Sequence, residues 1–412
     1  MAFRILISLL VVLGGTGCAG PGAPLACPQR TIERSARIFY ATDRQKLASD
    51  NLAFGSKRTD PPGLHMGWER VALGAGHRLG KVDAAITITP AHEQTESPGA
   101  ALTDALQHSD ADISAFVETQ LRSAIREAAR SRGNSRPQVL LFVHGYNTDF
   151  DWAVRNTAQL AGDLELVTCS GQVRGVAIAY SWPAQNTLLS YLADEENAEW
   201  TQQRLAPFVR AISRVCRQQG AELTLIAHSM GARALVRSLA YLANASEPAA
   251  GSERLADHVI LLAPDIGKGL FDQYVERFLP LVHHLTIYVS AKDHALGLSS
   301  LLHGGHSRLG LIGSTVLAAL ELTGLRHDDH RDLASVAYHQ GHGKVDMIDV
   351  TGSVASQFGH SYEDPAFIRD LHELIDRGTP AGAGARANLE RRQVRPGLFR
   401  NVAALSYFQL RK

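Results

Sequence analysis

The chain is poor in anything that would commit it to a disulfide scaffold, a membrane bundle or a nucleic-acid surface. Only four cysteines occur in 412 residues, far below the density of small secreted domains held by disulfides. Lys plus Arg equals Asp plus Glu, at 41 each, so no long-range field draws the protein to a polyanion or an anionic surface, and nucleic acid is excluded as a partner. Beyond the amino terminus no apolar stretch is long enough to cross a bilayer, and no internal repeat is visible. The eighteen histidines lack metal-ligand spacing such as H-E-x-x-H. His294, His303, His306, His327, His330, His339 and His342 lie in glycine- and charge-rich sequence, the composition of a solvated loop, and no metal is expected. What remains is a chain long enough for a large core: one catalytic domain with extensions.

The amino terminus stands apart. Arg4 precedes the apolar run Ile5 to Leu13, and the small residues Gly14, Gly15, Thr16 and Gly17 lead to Cys18, the layout of a secretory signal with a bacterial lipoprotein-type end. Gly15 stands where a lipobox favours leucine. Either Cys18 is lipidated and residues 19–26 form a tether, or an ordinary signal peptide is cut nearby. Both readings place the protein in the cell envelope, periplasmic or anchored at the outer membrane, the anchor being its contact with a membrane. Export also allows Cys169 and Cys216 to form a bridge or remain as thiols.

The chemistry centres on Ala227-His228-Ser229-Met230-Gly231. It follows the apolar run Leu223 to Ile226 and opens an amphipathic stretch carrying Leu235, Leu239 and Leu242, so the sequence predicts a strand, a sharp turn and a helix with Ser229 at the turn. A nucleophile elbow needs small residues two before and two after its serine, and Ala227 and Gly231 meet that need. A second apolar run, Val139 to Val143, reads as a parallel strand buried on both faces. It ends in His144-Gly145-Tyr146-Asn147, where an oxyanion loop belongs. The hole would combine the N–H of Met230 with that of Tyr146, or alternatively Gly145. Serine needs a base and the base a carboxylate, which in hydrolases of this type follow in the order Ser, acid, His. The strand Leu285 to Val289 ends near Asp293, the expected acid. The strand Val259 to Leu262 ends near Asp265, the alternative acid. His360, in Phe358-Gly359-His360-Ser361-Tyr362 after the strand-like Val345 to Val350, is the expected base.

Each of these residues also has a plainer reading. Ser229 could cap the following helix, Asp293 a helix over 294–302, and Asp265 a helix beginning near Lys268. His228 reads as a packing residue and His144 as an organiser of its loop.

Together with Phe39-Tyr40-Ala41-Thr42-Asp43-Arg44, Tyr180-Ser181-Trp182-Pro183, Leu262-Ala263-Pro264-Asp265 and Arg308-Leu309-Gly310, these motifs resemble a bacterial α/β-hydrolase family of unknown function, with esterase- and lipase-like serine hydrolases as members. The resemblance spans roughly residues 37–374. It implies an α/β-hydrolase fold, a mostly parallel central sheet flanked by helices, with Ser229 as nucleophile, Asp293 as acid and His360 as base. No cofactor is implied. The expected reaction is hydrolysis of carboxylic esters, short acyl or lipid, through an acyl-enzyme. A thioesterase or amidase on the same triad, or a noncatalytic envelope lipoprotein using the fold to bind, are the alternatives.

The expected organisation is a signal segment and tether over 1–26, the hydrolase domain over 35–377, and a low-complexity linker and tail over 378–412. Strands near 36–40 and 84–89 should form an antiparallel edge. Helices are expected around 113–129 and 152–164, a strand over 175–180, and a long polar helix over 195–217. Residues 304–344, between acid and base, should form either a lid or a loop packed on the rim.

Overall fold

In the computed structural model the described residues are 34–47, 54–73, 86–89, 110–133, 135–168, 170–185, 187, 190–245, 254–311, 343–352, 364–378, 381, 386, 389–393 and 406–410. Cys18, Cys27, Cys169, His360 and most of the 304–344 insertion lie outside them. At the centre are four strands almost wholly buried along their length: β6 (Gln138–Val143), β7 (Gly175–Ser181), β8 (Glu222–His228) and β9 (Ala256–Leu262). Continuous runs such as Val-Leu-Leu-Phe-Val have no polar face to offer water, so they pair in parallel and take helices on both sides. With β10 (Val282–Val289) and β11 (Val345–Asp349) they form the parallel order β7-β6-β8-β9-β10-β11. This is the α/β-hydrolase architecture expected from the sequence.

One face is covered by α1 (Asp110–Phe116), a π-helical turn over Val117–Leu121, α2 (Arg122–Arg132), α5 (Gln202–Gln219), α6 (Gly231–Ala245) and α7 (Lys268–Phe278). The other face is covered by α3 (Phe150–Asp163) and α9 (Pro365–Arg377). Phe208, Phe271 and Phe278 are fully buried on the first face and Phe367 on the second. Each contributes roughly 1.5–3 kcal/mol relative to exposure.

Three expectations are corrected. First, the antiparallel edge expected from the strands near 36–40 and 84–89 is present but has a third strand between them: β1 (Arg34–Thr42) pairs in parallel with β7 and antiparallel with β4 (His65–Leu73), and β5 (Thr87–Thr89) pairs antiparallel with β4 at the border. A small hairpin of β2 (Arg44–Lys46) and β3 (Phe54–Arg58) lies between β1 and β4. Second, the long polar helix is two helices, α4 (Tyr191–Trp200) and α5, divided at Thr201. Thr201 is buried and its hydroxyl donates to Asp43 at 2.7 Å, and α5 buries Leu205, Phe208, Val209, Ile212 and Val215. Third, the carboxyl-terminal stretch is not wholly a tail. The strands β12 (Leu389–Gln393) and β13 (Ser406–Leu410) extend the sheet, β13 running parallel to β11. Arg386 is buried against Asp370 of α9, so charge that reads as solvated is internal and paired.

Cys216 is a buried, free thiol, pushed to a raised pKa by burial. No helix among the described residues is long and apolar enough to cross a membrane.

Candidate active site

At the carboxyl end of β8 the chain turns sharply into α6. Ser229 sits in that turn with φ of 52°, a left-handed conformation costing an L-residue roughly 1–2 kcal/mol. The turn is held in register by its backbone: Ser229 donates its N–H to Leu262 O at 2.9 Å, and its carbonyl accepts from Asp265 N at 3.1 Å and Ala232 N at 3.0 Å. Space dictates the motif. A Cβ on Gly231 would stand 2.2 Å from His144 O and 2.7 Å from Val143 O, both backbone atoms that cannot yield. Glycine is therefore required two residues after the serine. Ala227 is fully buried.

The loop after β6 lies directly against this turn. A Cβ on Gly145 would be 3.0 Å from Ser229 Cβ and 2.9 Å from His228 Nδ1, so the glycine admits the loop to the serine. His144 is buried, stacked on Trp182 at 5.0 Å between ring centres, and Trp182 Nε1 donates to His144 O at 2.7 Å. His144 Nδ1 lies 2.7 Å from Gly145 O and Nε2 lies 3.2 Å from Trp182 O. Burial, and then the Arg44 guanidinium, hold His144 well below the usual imidazole pKa, so the ring is neutral. Beyond it the Tyr146 ring meets Tyr191 at 5.6 Å and its hydroxyl donates to Thr187 O at 2.9 Å. Among the described residues no acceptor takes the backbone N–H of Met230 or of Tyr146.

The two carboxylates separate clearly. Asp265 is buried and engaged on both oxygens: Tyr191 Oη donates to one at 2.6 Å and Ser299 Oγ to the other at 2.7 Å, and Arg308 Nε lies 3.4 Å away. It is not a cap for α7, whose N-cap is Gly267. Asp293 lies at the end of the loop after β10 and caps α8 (His294–Leu302), one carboxylate oxygen accepting from Leu296 N at 2.9 Å. It is also buried. Its loop is tied to the end of β11, since Ala291 N donates to Thr351 Oγ1 at 2.8 Å and Val350 N to Val289 O at 2.9 Å. His360 falls among residues 353–363, outside the described residues, between β11 and the Asp364 cap of α9.

The start of the 304–344 insertion packs on the rim. Leu309 N donates to Ile266 O at 2.9 Å, Gly310 N to Pro264 O at 3.0 Å, and Ser290 N to Gly310 O at 2.9 Å, which wedges this segment between the ends of β9 and β10. Across from it, α4 is fixed by charge. Arg233 of α6 pairs with Glu195 and, at 3.3 Å, with Glu199, and His303 lies 2.7 Å from Glu195.

Among the described residues no group of His, Cys, Asp and Glu is arranged to hold a metal. Arg44, Trp182 and Tyr191 were not singled out individually from the sequence. Two of them lie in segments that carry the family resemblance, the one signal that could have found them.

No curated protein matches the chain. A solved structure described as a lipase-esterase related protein from Clostridium acetobutylicum ATCC 824 is similar at 14% identity over 52% of this chain and 74% of that one, with a TM-score of 0.21. Residues 118–341 match the family described as alpha/beta hydrolase of unknown function (DUF900). That span is more than half of the 412 residues and includes the His144 loop, the Ser229 turn, Asp265 and Asp293. The chain belongs to this α/β-hydrolase family.

Proposed function

We propose that the protein is a serine hydrolase of carboxylic esters. The observation that carries this reading is the left-handed backbone at Ser229, a strain retained where strand, turn and helix must hold a side chain clear of the sheet. In this reading Ser229 Oγ attacks the ester carbonyl, His360 takes its proton and passes it to the leaving alcohol, and Asp293 holds the imidazole tautomer. The N–H groups of Met230 and Tyr146 receive the oxyanion, and water then releases the acyl group. Asp265 is held on both oxygens by Tyr191 and Ser299 and has Arg308 as its counter-charge, so its carboxylate already serves these neighbours, which supports Asp293 as the acid.

A fluorophosphonate probe on purified protein tests the proposal, since only an activated serine reacts quickly. Labelling of the wild type and its loss in Ser229→Ala are expected, with ester turnover falling by about three orders of magnitude or more. A variant that keeps its turnover would remove Ser229 from the role. Oxyester, thioester and amide probes run side by side then distinguish an esterase from a thioesterase or amidase. We further propose that the protein is exported and held at the envelope through Cys18. Cys18→Ser should then move it from the membrane fraction to the soluble fraction, and a wild type already soluble would rule the anchor out.

A further inference from the structure

Resting on that reading, we propose that Arg44 is the positioning residue of the oxyanion loop, acting through His144. Arg44 is almost fully buried, and all five of its guanidinium donors are directed at neutral acceptors. Nε donates to Ser181 Oγ at 2.9 Å. Nη1 donates to Gly55 O and Ala184 O, both at 3.1 Å, and Nη2 donates to Thr148 O at 2.6 Å and faces His144 Nε2 at 3.4 Å. One side chain thus joins three loops at the carboxyl edge of the sheet: the β2–β3 hairpin, the loop after β6 and the loop after β7. Burying a guanidinium is costly for stability even with the carboxylates of Asp43, Asp149 and Asp194 acting on it through space, whereas an exact loop placement is what an oxyanion site needs.

The link to the reaction is a peptide orientation. His144 Nε2 lies 3.4 Å from Arg44 Nη2 and 3.2 Å from Trp182 O, while Nδ1 makes the shorter 2.7 Å contact with Gly145 O. A proton on Nε2 would face a guanidinium that can only donate, so Arg44 favours the tautomer with the proton on Nδ1. Nδ1–H then holds Gly145 O at 2.7 Å. In a planar trans peptide the C=O and the next N–H point in opposite directions, so fixing the Gly145 carbonyl on the His144 ring turns the Tyr146 N–H away from that ring, leaving it to serve the Ser229 turn against which Gly145 packs. Arg44 favours the tautomer, the tautomer fixes the carbonyl, and the carbonyl fixes the oxyanion donor. Thr148 O, held by the same guanidinium, secures the far end of the loop.

Arg44→Lys keeps the charge but cannot reach five acceptors. His144→Phe keeps the stack on Trp182 but loses the N–H. With p-nitrophenyl butyrate, each folded variant should lose about 100-fold in kcat with KM within about 3-fold, the size associated with one oxyanion donor. The double variant should fall no further than the worse single, because the two act in series. A kcat within about 3-fold of wild type in either folded variant, or losses that multiply, would overturn the proposal. If neither variant folds, a crystal structure of the phosphonylated wild type decides: Tyr146 N about 3 Å from the phosphonyl oxygen is expected, and a Gly145–Tyr146 peptide flipped to present its carbonyl there overturns it. A wild type inert to both phosphonate and ester would instead overturn the serine-hydrolase reading on which this rests.

Discussion

Gly145 and Ser229 approach so closely that a Cβ on the glycine would stand 3.0 Å from the serine Cβ, with His228 Nδ1 at 2.9 Å. The loop's distance from the nucleophile is therefore set by the absence of one carbon. Gly145→Ala would displace the loop by a few tenths of an ångström while leaving the sheet and both helical layers intact. Turnover should fall by about 10- to 100-fold, on the scale of small misplacements in a reacting geometry. Steady-state kinetics beside a thermal melt checks this, and unchanged turnover would mean that the loop does not serve the reaction.

The two aspartates call for opposite outcomes. Asparagine is as good an N-cap as aspartate, so Asp293→Asn should preserve α8 and the melting temperature while lowering kcat by about 10³–10⁴-fold through loss of the histidine's orientation. Asp265→Asn leaves Arg308 buried without its counter-charge, the two side chains each being 3% exposed in the wild type. Its principal effect should be on stability, roughly 3 kcal/mol, read from urea denaturation. Larger catalytic loss at Asp265 than at Asp293, with both proteins folded, would transfer the acid's role to Asp265.

His258 provides a pH signature away from the site. Burial, and then the neighbouring positive groups His284, His283 and Arg386, against an opposing Asp257, push its pKa down to about 4 from 6.5. The unfolded chain therefore binds the extra proton between those values, and the His258 contribution to stability is present above pH 6.5 and lost as pH falls toward 4. The amount at stake is roughly 3 kcal/mol. Melting temperatures of wild type and His258→Gln across that range should converge or cross as pH falls, and parallel curves would rule out a buried neutral His258.

The parallel strands and the serine turn were legible because both are local statements. A run such as Val139 to Val143 has one physical solution, and the small residues Ala227 and Gly231 mark the turn around Ser229 in the chain, although the atoms that crowd Gly231, His144 O and Val143 O, come from the neighbouring strand and its loop. By contrast, β4 carries Glu69 and Arg70 within an apolar pattern, and Glu69 is buried. Its charge argues against a strand until β1 is seen beside it. The division at Thr201 depends on a carboxylate at Asp43, 158 residues away in the chain. Arg44 is one of 41 basic residues, and its role exists only once three loops meet around it.

Arg386 likewise owes its place to partners distant in the chain. Read in the chain, it belongs to a basic tail; in the fold its side chain is fully buried. Nε donates to Asp370 Oδ1 of α9 at 2.8 Å, Nη2 reaches Tyr288 Oη of β10 at 3.1 Å, and Nη1 lies 3.8 Å from Asp346 of β11. Asp346 is also approached by His284 at 2.9 Å and Ala381 N at 2.6 Å, whereas Asp370 relies on Arg386 for its positive partner. Arg386→Met would remove that partner while filling similar volume, stranding a carboxylate in the core at a cost of roughly 3–5 kcal/mol. The double variant Arg386→Met with Asp370→Asn removes both charges and keeps an acceptor for Tyr288. It should recover a substantial part of the loss in urea denaturation. An Arg386→Met protein as stable as wild type would show that the carboxyl-terminal strands are held by their backbone pairing and not by this buried cation.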